Sequence, residues 1–256
     1  MAYETLNFER ESGMVVVTLN RPNQMNSINT AMQKDLKDLL NEIENDSSIR
    51  VVVITGGEKC FCTGRDIKEV FPPGVRPPSS RNYFKRIEDL DRPTIAAVSG
   101  YCLGGGLELA LCCDLRIASD TARFGLAEIK VGRVPGAGGM QRLPRLIGIT
   151  KAKEMLYTGN PIDAEEAHRV GLVNKVVPVA SLMDESRSMA QTLLDRPSHA
   201  LKIAKRCVNE GMQLDLPSAL RFDVAIAASE MASPEAQANL EEGTAAFREK
   251  RKPVWR

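Results

Sequence analysis

Residues 94–139 read TIAAVSGYCLGGGLELALCCDLRIASDTARFGLAEIKVGRVPGAGG, and this stretch decides the fold. It begins with a run of β-branched and small apolar residues, 94–100, which ends in a glycine. The run is too short for a buried helix and too continuous for a half-exposed strand, so it predicts a buried strand. Three consecutive glycines then precede an apolar segment over residues 107–113, and they predict a tight turn that opens a helix.

Two further segments follow the same plan, residues 14–19 (MVVVTL) and 51–57 (VVVITGG). Helical periodicity falls between these predicted strands. One helix over residues 30–46 is marked by apolar positions at helical spacing, namely Met32, Leu36, Leu39, Leu40 and Ile43. The end of another is marked by Ile87 and Leu90. Strands and helices that alternate in this way predict the α/β class.

The C-terminal quarter has a different pattern. Residues 181–194, 200–211, 216–231 and 234–249 all predict helices, and Pro197, Pro217 and Pro234 fall near their beginnings, where a missing N–H costs little. We therefore expect a core that holds the active site over residues 1–195 and a helical oligomerisation segment over residues 196–256. The proline-rich residues 71–80 (FPPGVRPPSS) predict a surface loop.

Composition limits the function classes. The 256 residues are 43% hydrophobic and 26% charged, which is ordinary for a globular protein. Their formal net charge of +1 argues against a protein that works mainly on nucleic-acid phosphates or anionic lipid. No apolar run approaches the roughly 20 residues of a membrane helix, and the charged N-terminus lacks a signal-peptide core, so we expect a cytoplasmic protein without a membrane partner.

Metal, redox and nucleotide chemistry find no support in the sequence. The six cysteines contain no CxxC pair, so we expect reduced thiols, mostly buried, and no metal site. His168 and His199 lie in no recognisable nucleophile setting, and both are expected on helix surfaces. A GxGxxG that opens a helix and a Walker lysine are both missing.

Residues 104–108 are the first candidate for chemistry. Backbone amides at a helix N-terminus favour a negatively charged oxygen, and glycines allow a ligand to approach closely. Glu108 comes three residues after Gly105 and should share its face of the first turn. Taken alone, however, the segment is more simply a tight turn with Glu108 as a first-turn partner of the helix dipole.

Two other segments carry candidates. Glu128 follows residues 124–127 (FGLA) and precedes a second glycine cluster at residues 134–139 (VPGAGG). Alone, Glu128 would be interpreted as an ion-pair partner of Arg123 or Lys130. Residues 61–69 (FCTGRDIKE) again place a glycine after a strand, which predicts a strand-to-helix turn with amides that could face a ligand.

Taken together, these segments resemble the enoyl-CoA hydratase/isomerase (crotonase) family. The resemblance includes residues 20–22 (NRP) with 26–29 (NSIN), 61–69, 95–108, 124–128, 135–143 and 246–251 (AFREKR), in family order and spacing. It implies an α/β crotonase spiral of repeated ββα units, followed by a C-terminal helical assembly segment. It also implies a homo-oligomer, either a trimer or a dimer of trimers.

The resemblance implies reversible addition of water across the 2,3 double bond of an enoyl-CoA thioester. The N–H groups of Arg65 and Gly105 would form an oxyanion hole for the thioester oxygen. An ionised Glu108 would take a proton from water, while a protonated Glu128 would deliver one to the substrate. Gly136 would contribute a backbone amide that orients the water.

Binding of CoA is implied for a second group of residues. The backbone around Asp66, Ile67 and Lys68 would bind CoA, together with Arg65 and Gly105 of the oxyanion hole. Lys59 and Lys250 match family positions near CoA phosphates, although Lys250 is explained equally well as a cation at a helix C-terminus. No cofactor is implied beyond the CoA moiety of the substrate.

Three departures from the family pattern concern the acyl group. Arg65, Arg133 and Met140 stand where smaller residues or a threonine are usual. If Arg65 and Arg133 border the acyl pocket, they would favour an oxygen-bearing or dicarboxylic acyl group. The side chains could instead turn outward to solvent, to a CoA phosphate or to an acid such as Asp66 or Glu69.

Other functions in or near the family stay open. A Δ3,Δ2-enoyl-CoA isomerase needs only one of the two carboxylates, and a specialised hydratase would take a branched, cyclic or dicarboxylic substrate. One family branch that binds RNA resembles Gly211-Met212 with residues 246–251, but the predicted helix over residues 30–46 offers only Lys34 and Lys37, each beside an aspartate. An inactive acyl-CoA carrier is disfavoured by the two glutamates.

Overall fold

The computed structural model describes residues 3–72 and 81–255. Most of the predicted proline-rich loop, residues 73–80, lies outside the described residues. The chain forms two compact units, Met1–Leu90 with Thr94–Ala190 and Asp91–Pro93 with Gln191–Arg256. The assignment of separate domains to residues 1–195 and 196–256 stays a prediction.

The strands in chain order are β1 Leu6–Glu11, β2 Met14–Leu19, β3 Val51–Thr55, β4 Cys60–Cys62, β5 Thr94–Val98, β6 Tyr101–Leu103, β7 Leu115–Ser119, β8 Arg123–Gly125, β9 Ile162–Asp163 and β10 Lys175–Val177. The helices are α1 Thr30–Asn45, α2 Arg81–Asp89, α3 Gly105–Leu111, α4 Gly139–Ile147, α5 Ile149–Thr158, α6 Ala164–Arg169, α7 Leu182–Leu194, α8 Ser198–Gly211, α9 Leu216–Met231 and α10 Pro234–Glu249. Short 3₁₀ turns include Glu128–Val131.

The strands of the first unit form two sheets. One has six strands in the order β1-β2-β3-β5-β7-β10, and the other has four in the order β4-β6-β8-β9. The successive pairs β3/β4, β5/β6 and β7/β8 each place their first strand in the larger sheet and their second in the smaller one. Helix α2 follows the first pair and α3 follows the second. The predicted spiral of ββα units is thereby confirmed.

Burial explains why the β-branched runs become central strands. Every residue of β3 and β5 is buried, and their neighbours in the six-stranded sheet lie parallel to them. Such strands need apolar side chains on both faces, which the continuous runs supply. Helix α1 is also as predicted: Asn29 caps it by accepting a hydrogen bond from the Met32 N–H, and its buried stripe is the predicted set of apolar residues.

The segment after β4 differs from the expectation. Instead of entering a helix after Gly64, the chain stays extended, and Arg65 forms a parallel bridge with Ile28. The Asp66 side chain then accepts a hydrogen bond from the Lys68 N–H at 3.1 Å and closes a turn. Pairing with another part of the backbone therefore outweighed the local turn-to-helix signal.

The second unit is helical, as the proline positions indicated. Helices α9 and α10 have the predicted bounds, and the side chains of Asp215 and Ser233 cap their N-termini. Several large apolar side chains of this unit are exposed, among them Val208, Met212, Leu216, Val224 and Phe247. Over the described ranges, no helix combines the length and the apolar character needed to cross a bilayer.

Candidate active site

A cavity of about 390 Å³ in the first unit brings the main candidates together. The sequence-predicted residues that line it are Arg65, Ile67, Gly105, Glu108, Glu128, Arg133 and Gly136. They come from the loop after β4, from α3 and from the turn and loop after β8. These segments are far apart in sequence. They meet at the cavity because each follows a strand of the four-stranded sheet, β4, β6 or β8.

Glu108 lies in the first turn of α3 and is almost fully buried, at 3% exposure. Its Oε1 atom accepts hydrogen bonds from the N–H groups of Ala137 at 2.7 Å and Gly139 at 2.8 Å. The carboxylate therefore reaches beyond its own helix to a second loop, and the interpretation as a first-turn dipole partner alone is wrong. Two N–H donors on one oxygen fix the orientation of the Glu108 carboxyl group.

Glu128 begins the 3₁₀ turn after β8 and has a contrasting environment. Its Oε2 atom is buried, and no hydrogen-bond partner for it exists among residues 3–72 and 81–255. Burial raises the pKa of Glu128 to about 7, and the negative charge of Glu108 adds to the rise, although a hydrogen bond from its own backbone opposes it. Glu128 thus holds a proton far more readily than an exposed glutamate does.

The ion-pair interpretation of Glu128 is also wrong. Lys130 Nζ instead donates to the side-chain oxygen of Asn160 at 2.9 Å, and Arg123 donates to the Ala122 carbonyl at 3.0 Å. With no neutralising cation among the described residues, burial of the carboxyl favours its protonated form.

The backbone around Gly64 lies against the start of α3. Gly64 has a φ of 86°, and a Cβ there would lie 2.6 Å from the Gly105 nitrogen, so no other residue fits this contact. In the parallel bridge, Ile28 N donates to Gly64 O and Asp66 N donates to Ile28 O, which turns the Arg65 N–H away from Ile28. Within the described part of the chain, neither Arg65 nor Gly105 directs its N–H at a protein acceptor.

The loop that follows is fixed by Asp66. Its buried carboxylate pairs with Arg21 at 3.0 Å and accepts the Lys68 N–H. Burial alone would raise the pKa of Asp66, but the hydrogen bonds from Arg21, Lys68 and Ser27 outweigh it, and the pKa is lowered. Asp66 therefore shapes the loop, while Ile67 projects from it with 72% exposure.

The three lysines predicted to bind CoA lie outside the set of residues that line the cavity. Lys59 and Lys68 are exposed on the first unit. Lys250 belongs to the second unit, where it ends α10 with a left-handed φ of 55°. That position agrees with a cation at a helix C-terminus, and contact with CoA stays a prediction for all three.

Arg65 and Arg133 both border the cavity, as expected if they influence the acyl group. The Arg65 guanidinium lies over the ring of Phe71, with 5.6 Å from Cζ to the ring centroid. The Arg133 N–H donates to the Glu128 carbonyl at 2.9 Å, so its backbone position is tied to that of the carboxyl.

Sequence reasoning missed several residues of the site. The backbone amides of Ala137 and Gly139 donate to Glu108, and the sequence did not predict this role. A signal for them existed: Gly139 opens α4 after a glycine cluster, just as residues 104–106 open α3. Tyr83 of α2 also lines the cavity. No local motif points to Tyr83, since only the packing of α2 brings it there.

The cysteines and histidines lie outside this site. All six cysteines are free, and five of them are buried. Burial raises the pKa of Cys60 to about 11 and that of Cys62 to about 12, which keeps both as thiols. His168 is exposed on α6, and the ring of His199 on α8 faces the side-chain amide of Asn239. The described ranges contain no group of three or more His, Cys, Asp or Glu side chains that could hold a metal ion.

Comparison with known proteins agrees with this fold. The family model "Enoyl-CoA hydratase/isomerase" matches residues 9–256, and the chain belongs to that family. A crotonyl-CoA hydratase of Syntrophomonas wolfei is 41% identical over 260 aligned residues, which cover 98% of both chains. A short-chain-enoyl-CoA hydratase of Clostridium acetobutylicum is 42% identical over 252 residues, 95% of this chain and 94% of that one. Among solved structures, an enoyl-CoA hydratase from Bacillus anthracis has a TM-score of 0.91 at 37% identity, with 98% of this chain and 99% of that chain covered.

Proposed function

We propose that this chain is a hydro-lyase that adds water reversibly across the 2,3 double bond of an enoyl-CoA thioester. One observation carries the proposal: two glutamates line the same cavity in opposite environments. Glu108 accepts from two N–H donors, and Glu128 has a buried oxygen without a partner in the described part of the chain. Relatives named as crotonyl-CoA and short-chain-enoyl-CoA hydratases support the same activity.

Glu108 acts as the base in the direction of hydration. Its Oε1 is occupied by two amides, so Oε2 is the oxygen that takes a proton from water as the water oxygen attacks C3 of the substrate. Gly136, which also lines the cavity, contributes its backbone amide to the position of that water. A positioned base of this kind accelerates proton transfer by about 10²–10⁴-fold.

Glu128 acts as the acid. Because its pKa is raised to about 7, it still carries a proton near neutral pH and can deliver that proton to C2. The pair then holds one proton throughout, on Glu128 before the addition and on Glu108 after it. Both carboxyls are needed for addition of water, whereas movement of a double bond needs one.

The developing negative charge lies on the thioester oxygen. The N–H groups of Arg65 and Gly105 are supplied by two backbones in contact, and they stabilise the enolate oxygen more than the neutral carbonyl. One fixed donor of this type typically contributes about 2.7–4 kcal/mol to transition-state stability. The Arg65 side chain takes no part in this step.

The CoA moiety binds along the loop that follows Arg65. The backbone of Asp66, Ile67 and Lys68 contacts it, while Lys59 and Lys250 interact with its phosphates. Addition of water changes no net oxidation state, so the proposal includes no cofactor beyond the CoA of the substrate.

The active form is a homo-oligomer, a trimer or a dimer of trimers. Exposed apolar side chains of the helical unit, such as Met212 and Phe247, support self-association. The near-neutral net charge supports the absence of a nucleic-acid partner.

The test is an assay of the purified protein with crotonyl-CoA and with a 3-enoyl-CoA. We expect 3-hydroxybutyryl-CoA from the first and no comparable turnover of the second. Turnover of the 3-enoyl-CoA alone would identify an isomerase instead. A salt-titrated RNA filter-binding assay on the same sample should show no salt-sensitive retention.

A further inference from the structure

Arg142 connects three parts of the first unit through one guanidinium group. It lies in the first turn of α4, and its Nη1 donates to the Ala137 carbonyl at 2.9 Å. Its Nε and Nη2 donate to the two carboxylate oxygens of Glu88 on α2, each at 2.8 Å. The bidentate pair and the carbonyl bond leave this side chain little freedom.

Ala137 makes contacts on both of its sides. Its N–H donates to Glu108 Oε1, and its carbonyl accepts from Arg142. A movement that took the N–H away from Glu108 would also break the bond to Arg142. Gly138 beside it has a φ of 110°, and a Cβ there would overlap Arg142 Nη1, so the guanidinium passes directly against the loop backbone.

The anchor at Glu88 determines where the guanidinium sits. The hydrogen bonds between Arg142 and Glu88 are the main reason that the pKa of Arg142 is raised above its ordinary value. Arg142 therefore stays positively charged at any pH at which the protein is assayed. The side chains of Arg142 and Glu88 are only 20% and 28% exposed, which limits competition from water.

We propose that Arg142, fixed by Glu88, is a positioning residue that holds residues 137–139 so that two backbone amides face Glu108. The inference rests on the proposed function, because it gives the reacting carboxylate its orientation. Arg142 contacts Ala137 and is not among the residues that line the cavity. A small displacement of a reacting group costs up to about 10²-fold in rate, so losing this support affects the chemical step more than substrate binding.

The experiment compares Arg142→Ala, Arg142→Lys and Glu88→Gln with the control Arg145→Ala. Arg145 lies on the same helix and, among the residues that the structure describes, bonds only with Gln141. With crotonyl-CoA we expect kcat of Arg142→Ala to fall about 10- to 100-fold while KM, and the Kd of butyryl-CoA by calorimetry, stay within about threefold. Arg142→Lys should fall less, millimolar guanidinium should restore part of the Arg142→Ala activity, and Arg145→Ala should stay within about twofold of wild type.

The double variant separates positioning from simple structural support. If Arg142 and Glu88 act as one unit, Arg142→Ala with Glu88→Gln should lose no more kcat than Arg142→Ala alone. Losses that multiply would overturn the inference, as would a wild-type kcat in folded Arg142→Ala or an equal loss of butyryl-CoA binding. A wild-type protein without hydratase activity would overturn the proposed function and this inference with it, whereas an active wild type with unaffected variants would overturn the inference alone.

Discussion

Glu108 Oε1 accepts the Ala137 N–H at 2.7 Å, and this bond joins the helix of one ββα unit to the loop that follows the next. Glu128, which lines the same cavity, has a buried oxygen that meets no such donor among residues 3–72 and 81–255. Two identical side chains therefore have unlike hydrogen-bonding environments in one cavity.

The pH dependence of catalysis should report the proton shared by the glutamates. As pH rises past about 7, Glu128 loses its proton, and kcat/KM for hydration should fall. Dehydration of the 3-hydroxyacyl-CoA should fall in parallel, because both directions need one proton on the pair. Initial rates between pH 5 and pH 9 test this, and a profile that stays flat to pH 9 in either direction would contradict it.

Glu128 should also make stability depend on pH. Its pKa is about 7 in the folded protein, above the ordinary 4.5, so the folded state binds the proton more tightly. The resulting stability is fully present below about pH 4.5 and is lost as pH rises through about 7. The stability of Glu128→Gln relative to wild type should therefore be greater at pH 8 than at pH 5, as measured by thermal unfolding. The exposed Glu241→Gln serves as the control, and an equal difference at both pH values would refute the assignment.

The loop at Gly138 should be sensitive to a single methyl group. Gly138→Ala places a Cβ on the Arg142 guanidinium at a φ of 110°, while Gly132→Ala enters open space at a φ of 69°. We expect about 1 kcal/mol of destabilisation for Gly132→Ala from its left-handed backbone alone. Gly138→Ala should lose about 1–3 kcal/mol more and at least about tenfold in kcat. Chemical denaturation and crotonyl-CoA assays on both variants measure this, and equal effects would argue against the close packing.

Arg133 should influence which acyl groups are accepted. A carboxylate-bearing acyl group can pair with its guanidinium, and loss of such a charge-assisted bond costs about 1.5–3 kcal/mol. Arg133→Leu should thus lower kcat/KM for a dicarboxylic enoyl-CoA by about tenfold or more, with crotonyl-CoA turnover nearly unchanged. Arg145→Leu is the matched control. Equal losses on both substrates would indicate a CoA contact and exclude the selectivity role.

The assembly proposed for the helical unit has its own test. Light scattering on the full chain should give three or six times the 28.1 kDa chain mass. Removal of the chain from Pro197 onward should abolish the assembly and the activity, and Phe247→Asp offers a milder change at a side chain that is 86% exposed. A monomeric wild type, or a truncated protein that is monomeric and fully active, would refute it.

Much of this architecture could be predicted because the signals are local. The β-branched runs, the stripe of α1 and the prolines of α9 and α10 each determine their own element. The three-residue strands β4 and β6 could not be predicted, because their pairing with distant strands, and not their composition, makes them strands. The same reason explains why the chain after Gly64 is extended where a helix was expected.

The site was predictable as a set of residues but not as a network. The motifs named Glu108, Glu128, Arg65 and Gly105, all of which line the cavity. The Glu88–Arg142–Ala137 connection spans more than fifty residues of sequence and leaves no periodic pattern, so only the folded structure reveals it. The raised pKa of Glu128 likewise follows from burial that no single segment encodes.

The most direct test of the two-glutamate account is kcat for hydration of crotonyl-CoA by Glu108→Gln and Glu128→Gln, measured beside wild type. Each amide keeps the size of the side chain but can neither take nor deliver the proton, so each variant should lose about 10²–10⁴-fold in kcat. KM should change little, because the CoA moiety is bound elsewhere. A variant that retains more than about a tenth of the wild-type kcat would contradict the two-carboxylate mechanism.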